Sequence, residues 1–456
     1  MDAILFTIAL LTLFTAGFGA VLLIVPRDRS LTVIEMSSLA IVLGAAFVSL
    51  ASFWLGLFLS GLILRSTLTA LCIVMGATGI ARKRSAPSIL SGGPSGAGAF
   101  LLMGILAVQT GLILWLALLL TFGWDGLLIW EFKARLACLH GGVIPIDYFR
   151  DLSRYWTKPR YPLFLPLSEA WIYNWLGRCD EGLAKLIFPL LYLAALGFLY
   201  IGGSRFGGTW WRGFLPAVLL FFVPLAVVGE GSVSSGYADF PLAVLYLASV
   251  IYLLEYWETG DKGALRILGI TAAALPWIKQ EGIILWLTLG FLTTVKTAQR
   301  RSIRLVLPMA LPGILVFSGW RVYLALVKVK VGRGFLPFDL TTLWSNLGRS
   351  TAIAQAAVIE MMDWKHWSIL WPAALLSLIL LLVSNHRKDF VVLLLAVTLP
   401  ITMYSGIFIF SAWAPFMDHL NSSMPRLFLQ VSLVALLIVG LAIPNGRHCP
   451  EETPST

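Results

Sequence analysis

Long apolar stretches alternate with short polar connections along most of this chain. Each stretch is close to the length of about 20 residues that a helix needs to cross the hydrocarbon core of a bilayer. The stretches lack the in–out alternation that is typical of membrane β-strands, so they are predicted to be helices. About thirteen spans are predicted, at residues 3–25, 36–57, 60–81, 99–121, 183–201, 213–229, 238–256, 265–278, 282–296, 304–326, 367–384, 389–410 and 426–444.

Basic residues mark every second short connection between these spans. Under the positive-inside rule the marked connections face the cytoplasm, which places the N-terminus outside and the tail at 445–456 inside. The alternation uses all the predicted spans and therefore supports their number. The basic residues are Arg27, Arg29, Arg82, Lys83, Arg84, Arg205, Arg212, Lys262, Arg266, Lys296, Arg300, Arg301, Arg304, Arg387 and Lys388.

The composition agrees with a membrane protein. Of the 456 residues, 59% are hydrophobic and 12% are charged, whereas a soluble domain is about half apolar and a quarter charged. The net charge of +10 is explained by the basic residues beside the spans, so no nucleic-acid partner is predicted. The N-terminus lacks the basic region and cleavage site of a removed signal peptide, and the first span is expected to remain.

The chain is predicted to consist of a leading part, a core and a tail. Residues 1–98 hold three leading spans and a linker of small residues at 85–98, whose glycines lack the Lys-Ser/Thr ending of a phosphate-binding loop. A single kinked span with a re-entrant piece is the alternative for residues 36–81. Residues 99–444 form the membrane-embedded core, and residues 445–456 form a cytoplasmic tail.

The longest predicted outer connection covers about residues 122–182. Its segment LLIWEFKARLACL is predicted to form an interfacial helix, with Trp130 at the headgroup boundary and Glu131, Lys133 and Arg135 facing water. The prolines of KPRYPLFLP then favour extended chain. A second aromatic interfacial helix, LSEAWIYNWL, is predicted to follow.

Cysteines and histidines give no clear metal signal. Cys138 and Cys179 both fall in the long outer loop, where a disulfide and two unpaired thiols are both open interpretations. The five histidines are scattered, and no two lie four residues apart on a predicted helix. That spacing would be needed for a familiar zinc-binding helix.

Ionisable residues from distant parts of the chain fall at the outer ends of the predicted spans. Charged side chains near a membrane are costly and tend to mark functional sites, although outer loops also have to be polar for solvation. Their convergence would suit a site at the mouth of a helical bundle. The candidates are Asp125, Glu131, Lys158, Arg160, Asp239, Lys279, Glu281, Asp418, His419 and Arg426.

Asp125 has two competing interpretations. It follows a predicted span and precedes the first interfacial helix, so it is either a general base at the membrane surface or the N-cap of that helix. Glu131 lies six residues further on, which is about 240° of rotation along an α-helix. The two carboxylates are therefore expected to point apart, and a paired-carboxylate glycosidase site is not predicted.

The cationic candidates also have two interpretations each. Lys158 and Arg160 either bind a lipid phosphate or make general contacts with anionic headgroups. Lys279 lies in a very short hairpin with Glu281, where it is either a phosphate ligand or half of a weak surface ion pair. Arg426 begins the last span, where it either binds phosphate or extends to the interface.

Five motifs occur in the order WDGLLIWEFKAR, KPRYPLFLPL, GYADFPLAVLYL, WIKQEG and HLNSSMPR. Between about residues 99 and 440 this order resembles the bacterial GT-C membrane glycosyltransferases, the relatives of protein mannosyltransferases and of the aminoarabinose transferase of lipid A. The resemblance implies an all-α bundle with a large first extracytoplasmic loop. It also implies an enzyme of the inner cell membrane that takes a sugar from a polyprenyl-phosphate carrier on the outer face. The acceptor would be a glycan, a lipid or a protein.

The resemblance also implies roles for individual residues. The acidic residue of the first outer loop falls on Asp125, and the donor phosphate would be held by Lys279 and Arg426, with Arg160 behind them. Asp239 matches a recurrent acidic position without an assigned role. No second acidic residue stands directly beside Asp125, which departs from the family pattern and argues against a metal-bound pair. No cofactor is predicted, and use of a divalent metal is left open. Further candidates for substrate contacts are Lys158, Glu281 and His419.

These residue types suit glycosyl transfer from a lipid phosphate. One carboxylate can take the proton of the attacking hydroxyl, and the leaving phosphate needs positive charge rather than a general acid. A single displacement with inversion at the anomeric carbon is predicted. The alternatives are a lipid-linked sugar flippase, which usually has inverted repeats and ionisable groups near mid-bilayer, and an O-antigen polymerase or ligase, whose polar loop would come late in the chain.

Overall fold

The computed structural model of this protein is a bundle of helices. It describes residues 1–82, 97–299, 302–329, 334–383 and 387–443. The predicted tail, most of the linker at 85–98, and four basic residues used for the orientation (Lys83, Arg84, Arg300 and Arg301) lie outside the described residues. Among the described residues, extended chain pairs only at an isolated bridge between Phe335 and Ser411. The prediction of an all-helical membrane bundle is confirmed.

Twenty-one α-helices follow one another along the described chain. They are α1 Asp2–Ile24, α2 Val33–Gly56, α3 Gly61–Arg82, α4 Ala97–Leu119, α5 Phe132–Leu139, α6 Ile146–Arg150, α7 Phe164–Leu176, α8 Glu181–Ala184, α9 Ile187–Gly207, α10 Trp210–Leu220, α11 Pro224–Val227, α12 Asp239–Thr259, α13 Lys262–Ile278, α14 Gly282–Gln299, α15 Leu307–Leu326, α16 Leu340–Asn346, α17 Arg349–Met361, α18 Trp364–Trp367, α19 Leu370–Val383, α20 Arg387–Ile407 and α21 Phe416–Ala442. Gly126–Glu131 is π-helical, and Leu152–Thr157, Ile303–Val306 and Phe408–Phe410 are 3-10 helical.

Eight helical segments of the described chain are long and apolar enough to cross a membrane. Two further predicted spans correspond to the shorter apolar helices Met103–Leu119 and Leu370–Val383. The predicted spans at 265–278 and 282–296 are helical and the one at 213–229 is partly helical, but none of the three is long and apolar enough to be counted among the eight. The number of thirteen crossings therefore stays a prediction. The eight segments are Asp2–Ile24, Val33–Gly56, Gly61–Arg82, Glu181–Gly207, Asp239–Thr259, Ile303–Leu326, Phe390–Phe410 and Phe416–Ala442.

The predicted span at 213–229 is not one continuous helix, because the chain breaks there into α10 and α11. Helix α10 ends at Leu220 and α11 begins at Pro224. The residue before a proline is disfavoured in the helical region, and Val223 is indeed extended, with φ −96° and ψ 99°. A proline fits well as the first residue of the next helix, since its missing N–H would be unpaired there in any case.

The predicted division near Ser60 is present in the structure. Helix α2 ends at Gly56 and α3 begins at Gly61. Gly61 has φ +58°, a left-handed conformation that glycine adopts without steric penalty, and its N–H donates to the carbonyl oxygen of Gly141 at 2.7 Å. The turn is thereby fixed, and the alternative of one kinked span does not apply.

Helix α12 lies at the centre of the bundle. In its most apolar stretch 94% of the residues are buried, against 17% for the segment that contains α15. Helix α12 packs against α9, α13, α14 and α21, and a helix that is apolar all round is expected in such a central position. Asp239 at its first position is consequently held inside the protein rather than at its surface.

A network of buried charges ties the leading spans to the core. Helix α2 packs against α7 and α9, and its Glu35 is only 1% exposed. The Glu35 carboxylate accepts hydrogen bonds from Arg205 at 2.7 Å and from the Tyr252 hydroxyl at 2.8 Å. Arg29, which precedes α2, donates to Glu255 of α12 at 2.9 Å. Arg29 and Arg205, two of the basic residues on which the predicted orientation depends, thus join α2 to α9 and α12.

Substituting Glu35 with glutamine is expected to lower the free energy of unfolding by about 1–3 kcal/mol, because hydrogen bonds to a buried charge become weaker and Arg205 loses a counter-charge. The measurement is denaturant or thermal unfolding of the purified protein in detergent. Asp28→Asn is the matched control, since Asp28 is exposed in the same connection. Equal destabilisation by both substitutions would contradict the structural role of Glu35.

Candidate active site

A cavity of about 350 Å³ opens where the long loop at 122–182, the α13–α14 hairpin and the first turns of α21 meet. Five of the eight predicted site residues line it: Lys158, Lys279, Glu281, His419 and Arg426. Asp125 and Asp239 lie directly behind this wall, paired with two of its cations. The structure thus brings together residues that are up to 301 positions apart in the chain.

Lys279 and Asp239 form a buried ion pair beside the cavity. The Lys279 ammonium donates to Asp239 Oδ1 at 2.8 Å and lies 3.2 Å from Glu281 Oε1. Gln430 of α21 donates to the same Asp239 oxygen at 2.7 Å. The Asp239 and Lys279 side chains are only 1% and 6% exposed, so the interpretation of Lys279 as part of a weak surface pair is wrong.

The charge of Lys279 is secured by its neighbours. Burial alone would lower the pKa of the Lys279 ammonium, but the carboxylates of Asp239 and Glu281 outweigh that effect and raise it. Lys279 is positioned by the end of α13 at Ile278 and by the short turn that leads into α14. The result is a permanent positive charge at the base of the cavity.

Arg426 and Asp125 form a second ion pair at the same cavity. The Arg426 guanidinium donates to Asp125 Oδ2 and lies over the Tyr237 ring, 5.5 Å from its centre. The Asp125 backbone N–H donates to the Tyr237 hydroxyl at 3.1 Å. Asp125 precedes the π-helical turn Gly126–Glu131, but its side chain makes no capping hydrogen bond. The helix-cap interpretation of Asp125 is therefore wrong.

Arg160 is not brought into the cavity wall. Its carbonyl oxygen accepts hydrogen bonds from the side chains of Gln280 and Trp320, both at 3.2 Å. Burial and the nearby Arg321 lower the pKa of the Arg160 guanidinium. The contacts of Arg160 fasten the long loop to the α13–α14 hairpin and to α15.

Tyr161 is a cavity residue that the sequence analysis did not select. Its ring stacks on Trp130 with centres 5.5 Å apart. The pKa of its hydroxyl is raised by burial and then by Glu281, while Lys279 and Arg426 act in the opposite direction. The hydroxyl therefore stays protonated and can donate to a substrate oxygen. A tyrosine beside a proline carries no sequence signal that would have identified it.

Aromatic side chains form one wall of the cavity. His419 stacks on Trp413 with centres 4.7 Å apart and planes 14° apart, and it shares a hydrogen bond with the Ser411 hydroxyl at 2.9 Å. Phe335 and Phe338 complete this wall. His419 is thus held in an aromatic stack, which suits contact with an apolar or ring-shaped group more than ion pairing.

The first part of the long loop is more buried than the sequence predicts. Trp130, Glu131 and Lys133 are at most 1% exposed, so their predicted places at the interface or in water are wrong, whereas Arg135 is half exposed. The π-helical turn before Phe132 adds a residue per turn, which rotates the following side chains by about 100° relative to an α-helix. Helix α5 packs on α7 with this rotated face.

Two buried carboxyl groups meet in this part of the loop. Glu131 accepts from Tyr173 at 2.7 Å and from Arg135 at 2.6 Å. Glu169 of α7 lies against Glu131, and no donor among the described residues reaches the Glu169 oxygens. Burial and then the Glu131 charge raise the pKa of Glu169 well above its ordinary value. We expect two carboxyls so placed to share a proton, because like charges in contact cannot both ionise.

Glu169→Gln is expected to make the protein more stable than wild type at pH 8, with a smaller difference at pH 5. In wild type the folded state holds the Glu169 proton more tightly than the unfolded state, whose pKa is about 4.3. Stability is therefore lost as the pH rises above that value, by up to about 1.4 kcal/mol per pH unit. The measurement is the unfolding midpoint against pH. Asp147→Asn, at an exposed position, is the control, and a pH-independent difference for Glu169→Gln would refute the shared proton.

The two loop cysteines are unpaired. Cys138 and Cys179 are both free thiols and pack beside Tyr173. Burial raises the pKa of the Cys138 thiol to about 12, so its reactive thiolate form is scarce at neutral pH. Of the two interpretations left open by the sequence, the structure agrees with two unpaired thiols.

One cluster of residue types that can bind metal occurs in the described chain. Glu360, Asp363 and His366 each place a ligand atom within 4.8 Å of the others. Glu360 is hydrogen-bonded to His366 and to the Trp367 indole, both at 2.8 Å. These hydrogen bonds explain why the three side chains lie close together at the turn between α17 and α18. We assign no metal ion to this cluster.

No protein-family model matches this chain, and no curated protein matches it. The functional interpretation therefore depends on the chemistry of the cavity and on the order of the sequence motifs.

Proposed function

We propose that this protein is a membrane glycosyltransferase that moves a sugar from a polyprenyl-phosphate carrier to an envelope acceptor on the extracytoplasmic face of the inner membrane. The main support is the cavity, whose lining brings together Lys158, Lys279, Arg426 and the carboxylate of Glu281 inside an apolar bundle. Asp125 lies behind this lining and is paired with Arg426. A lipid phosphate carries a negative charge that these cations can bind and an apolar tail that can lie among the helices. The acceptor is a glycan, a lipid or a protein.

In this proposal the cations bind the donor phosphate. Lys279 and Arg426 are held in place by Asp239 and Asp125 and cannot turn away to solvent. Lys158 also lines the cavity and has no carboxylate partner among the described residues, so its charge is available to a ligand. Fixed cations act on developing phosphate charge strongly where water is excluded.

Asp125 is proposed as the general base. It takes the proton of the acceptor hydroxyl as the oxygen attacks the anomeric carbon. The bond between that carbon and the phosphate oxygen breaks in the same step, and the carrier phosphate leaves with the electron pair towards Lys279 and Arg426. A single displacement of this kind inverts the anomeric configuration.

The aromatic wall suits the apolar parts of the donor. Phe335, Phe338 and Trp413 line the cavity, and aromatic rings pack well against the C–H groups of a sugar or an isoprene unit. Ile284 and Leu427 extend the apolar lining. The phosphate would then bind at one side and the carrier chain would continue between helices.

Deletion of the gene followed by mass spectrometry of envelope glycans and polyprenyl-phosphate sugars tests the proposal. We expect one glycan to lose a sugar and the matching lipid-linked donor to accumulate, with repair by the wild-type gene. The accumulated donor then identifies the sugar. If no glycan changes in the deletion strain, the glycosyltransferase proposal fails and transport of a lipid-linked sugar becomes the better interpretation.

A further inference from the structure

A fully buried amine lies behind the cavity. Lys133 of α5 has no measurable exposure, and no carboxylate of the described residues lies within ion-pair distance of it. Its ammonium donates to the carbonyl oxygen of Lys158 at 3.0 Å and lies 5.3 Å and 5.8 Å from the ring centres of Trp130 and Tyr161. An ammonium without a counter-ion is unfavourable inside a protein, so this arrangement calls for a functional reason.

The backbone that Lys133 contacts has an unusual conformation. Lys158 has φ 52° and ψ 68°, a left-handed conformation that a residue with a side chain rarely adopts. Its carbonyl oxygen accepts from Lys133 and also from the N–H of Tyr161 at 3.0 Å. These two hydrogen bonds to one carbonyl oxygen hold the turn at 158–161 in place. Both Lys158 and Tyr161 line the cavity.

We propose that Lys133 is a positioning residue, whose ammonium holds the turn at 158–161 in the shape that presents the Lys158 side chain to the donor phosphate. The inference rests on the proposed function, because it names the device that arranges one of its phosphate ligands. Lys133 itself does not line the cavity, so it acts through Lys158 and Tyr161.

The charged groups on the elements that adjoin Lys133 are engaged with other partners. Glu131 pairs with Arg135, Glu169 lies against Glu131, and Arg154 pairs with Asp151 at 3.2 Å. Burial therefore dominates, and it lowers the pKa of the Lys133 ammonium to about 7. Above that pH the neutral amine can still donate a hydrogen bond but loses its attraction to the two aromatic rings. The turn is therefore held most firmly below pH 7.

A double-mutant cycle on binding of undecaprenyl phosphate to the purified full-length protein in nanodiscs tests this inference. We expect Lys133→Met and Lys158→Ala each to weaken binding by about tenfold. The double variant should bind no more weakly than Lys158→Ala alone, because both substitutions remove the same interaction. If the two effects multiply to about a hundredfold, Lys133 does not act through Lys158 and the inference is wrong.

The pH dependence gives a second test that leaves Lys133 intact. The probe here is the methyl ester of undecaprenyl phosphate, a phosphodiester whose single negative charge does not titrate between pH 6 and 8.5, and the quantity compared is the ratio of wild-type affinity to Lys158→Ala affinity. We expect this ratio to fall as the pH rises from 6 to 8.5, and a constant ratio would overturn the inference. If the folded wild-type protein does not bind the probe at any pH, the proposed function itself is wrong. The positioning role of Lys133, which depends on that function, is then wrong as well.

Discussion

Substituting Lys279 with methionine is expected to lower the free energy of unfolding by about 3–5 kcal/mol and to abolish binding of a lipid phosphate. The substitution removes the main counter-charge of Asp239, which is only 1% exposed and whose Oδ2 already has no donor among the described residues. Leaving one charge of a buried pair alone is far more unfavourable than removing both. Unfolding in detergent measures the first effect, and binding of undecaprenyl phosphate measures the second.

The double variant Lys279→Met with Asp239→Asn separates these effects. It should regain part of the lost stability, because the buried Asp239 charge is gone and Gln430 can still donate to the amide oxygen, while the less buried Glu281 stays without its lysine. It should not regain phosphate binding. Lys262→Met is the matched control at the other, exposed end of α13, and it should change neither quantity. Wild-type stability in the Lys279→Met single variant would contradict the buried-pair interpretation.

The bundle was predictable because membrane spans are a property of local sequence. Apolar length identifies a span without any knowledge of its neighbours, and the short hairpin before Gly282 follows from a polar interruption between two apolar stretches. The break before Pro224 was also readable in principle, since a proline inside an apolar run disfavours helix at the preceding residue. The apolar composition of residues 213–229 nevertheless favours one continuous span, and that prediction misses the break.

The pairing of charges could not be predicted in the same way. Asp125 and Arg426 are 301 residues apart, and nothing local indicates which carboxylate meets which cation. Gln430 reads as an ordinary polar residue in the last span, yet it contacts Asp239 at the base of the cavity. Long-range packing decides such partners, so the sequence could suggest that outer ionisable groups converge but not how they pair.

The face of the helix after Asp125 was mispredicted for a local reason. The charges of Glu131, Lys133 and Arg135 suggested that all three face water, but Lys133 lies about 200° of α-helical rotation from each of the other two, and it is buried without exposure. The π-helical turn Gly126–Glu131 precedes it. A π-turn has no reliable composition signal and often occurs at functional sites. Glu131 at the end of this turn lies against Glu169, so the irregular turn adjoins both the pair of carboxyl groups and the buried amine behind the cavity.

Asp125→Asn is expected to lower the rate of sugar transfer by about 10²–10⁴-fold if Asp125 is the general base. Asparagine keeps the shape of the side chain and an oxygen for Arg426, but it cannot take the proton of the acceptor hydroxyl. In that case kcat falls while KM for the lipid donor changes little.

The ion pair with Arg426 offers a competing role, in which Asp125 only holds the guanidinium against the phosphate. Asp125→Asn would then raise KM for the donor and leave kcat nearly intact, as loss of uniform binding does. Steady-state kinetics of the purified protein with the donor identified by the deletion experiment distinguishes the two roles. Asp418→Asn, at an exposed position near the start of α21, controls for a general loss of outer negative charge and should change neither constant. A fall in kcat confined to Asp125→Asn assigns the base, whereas a rise in KM confined to it makes Asp125 a positioning residue for Arg426.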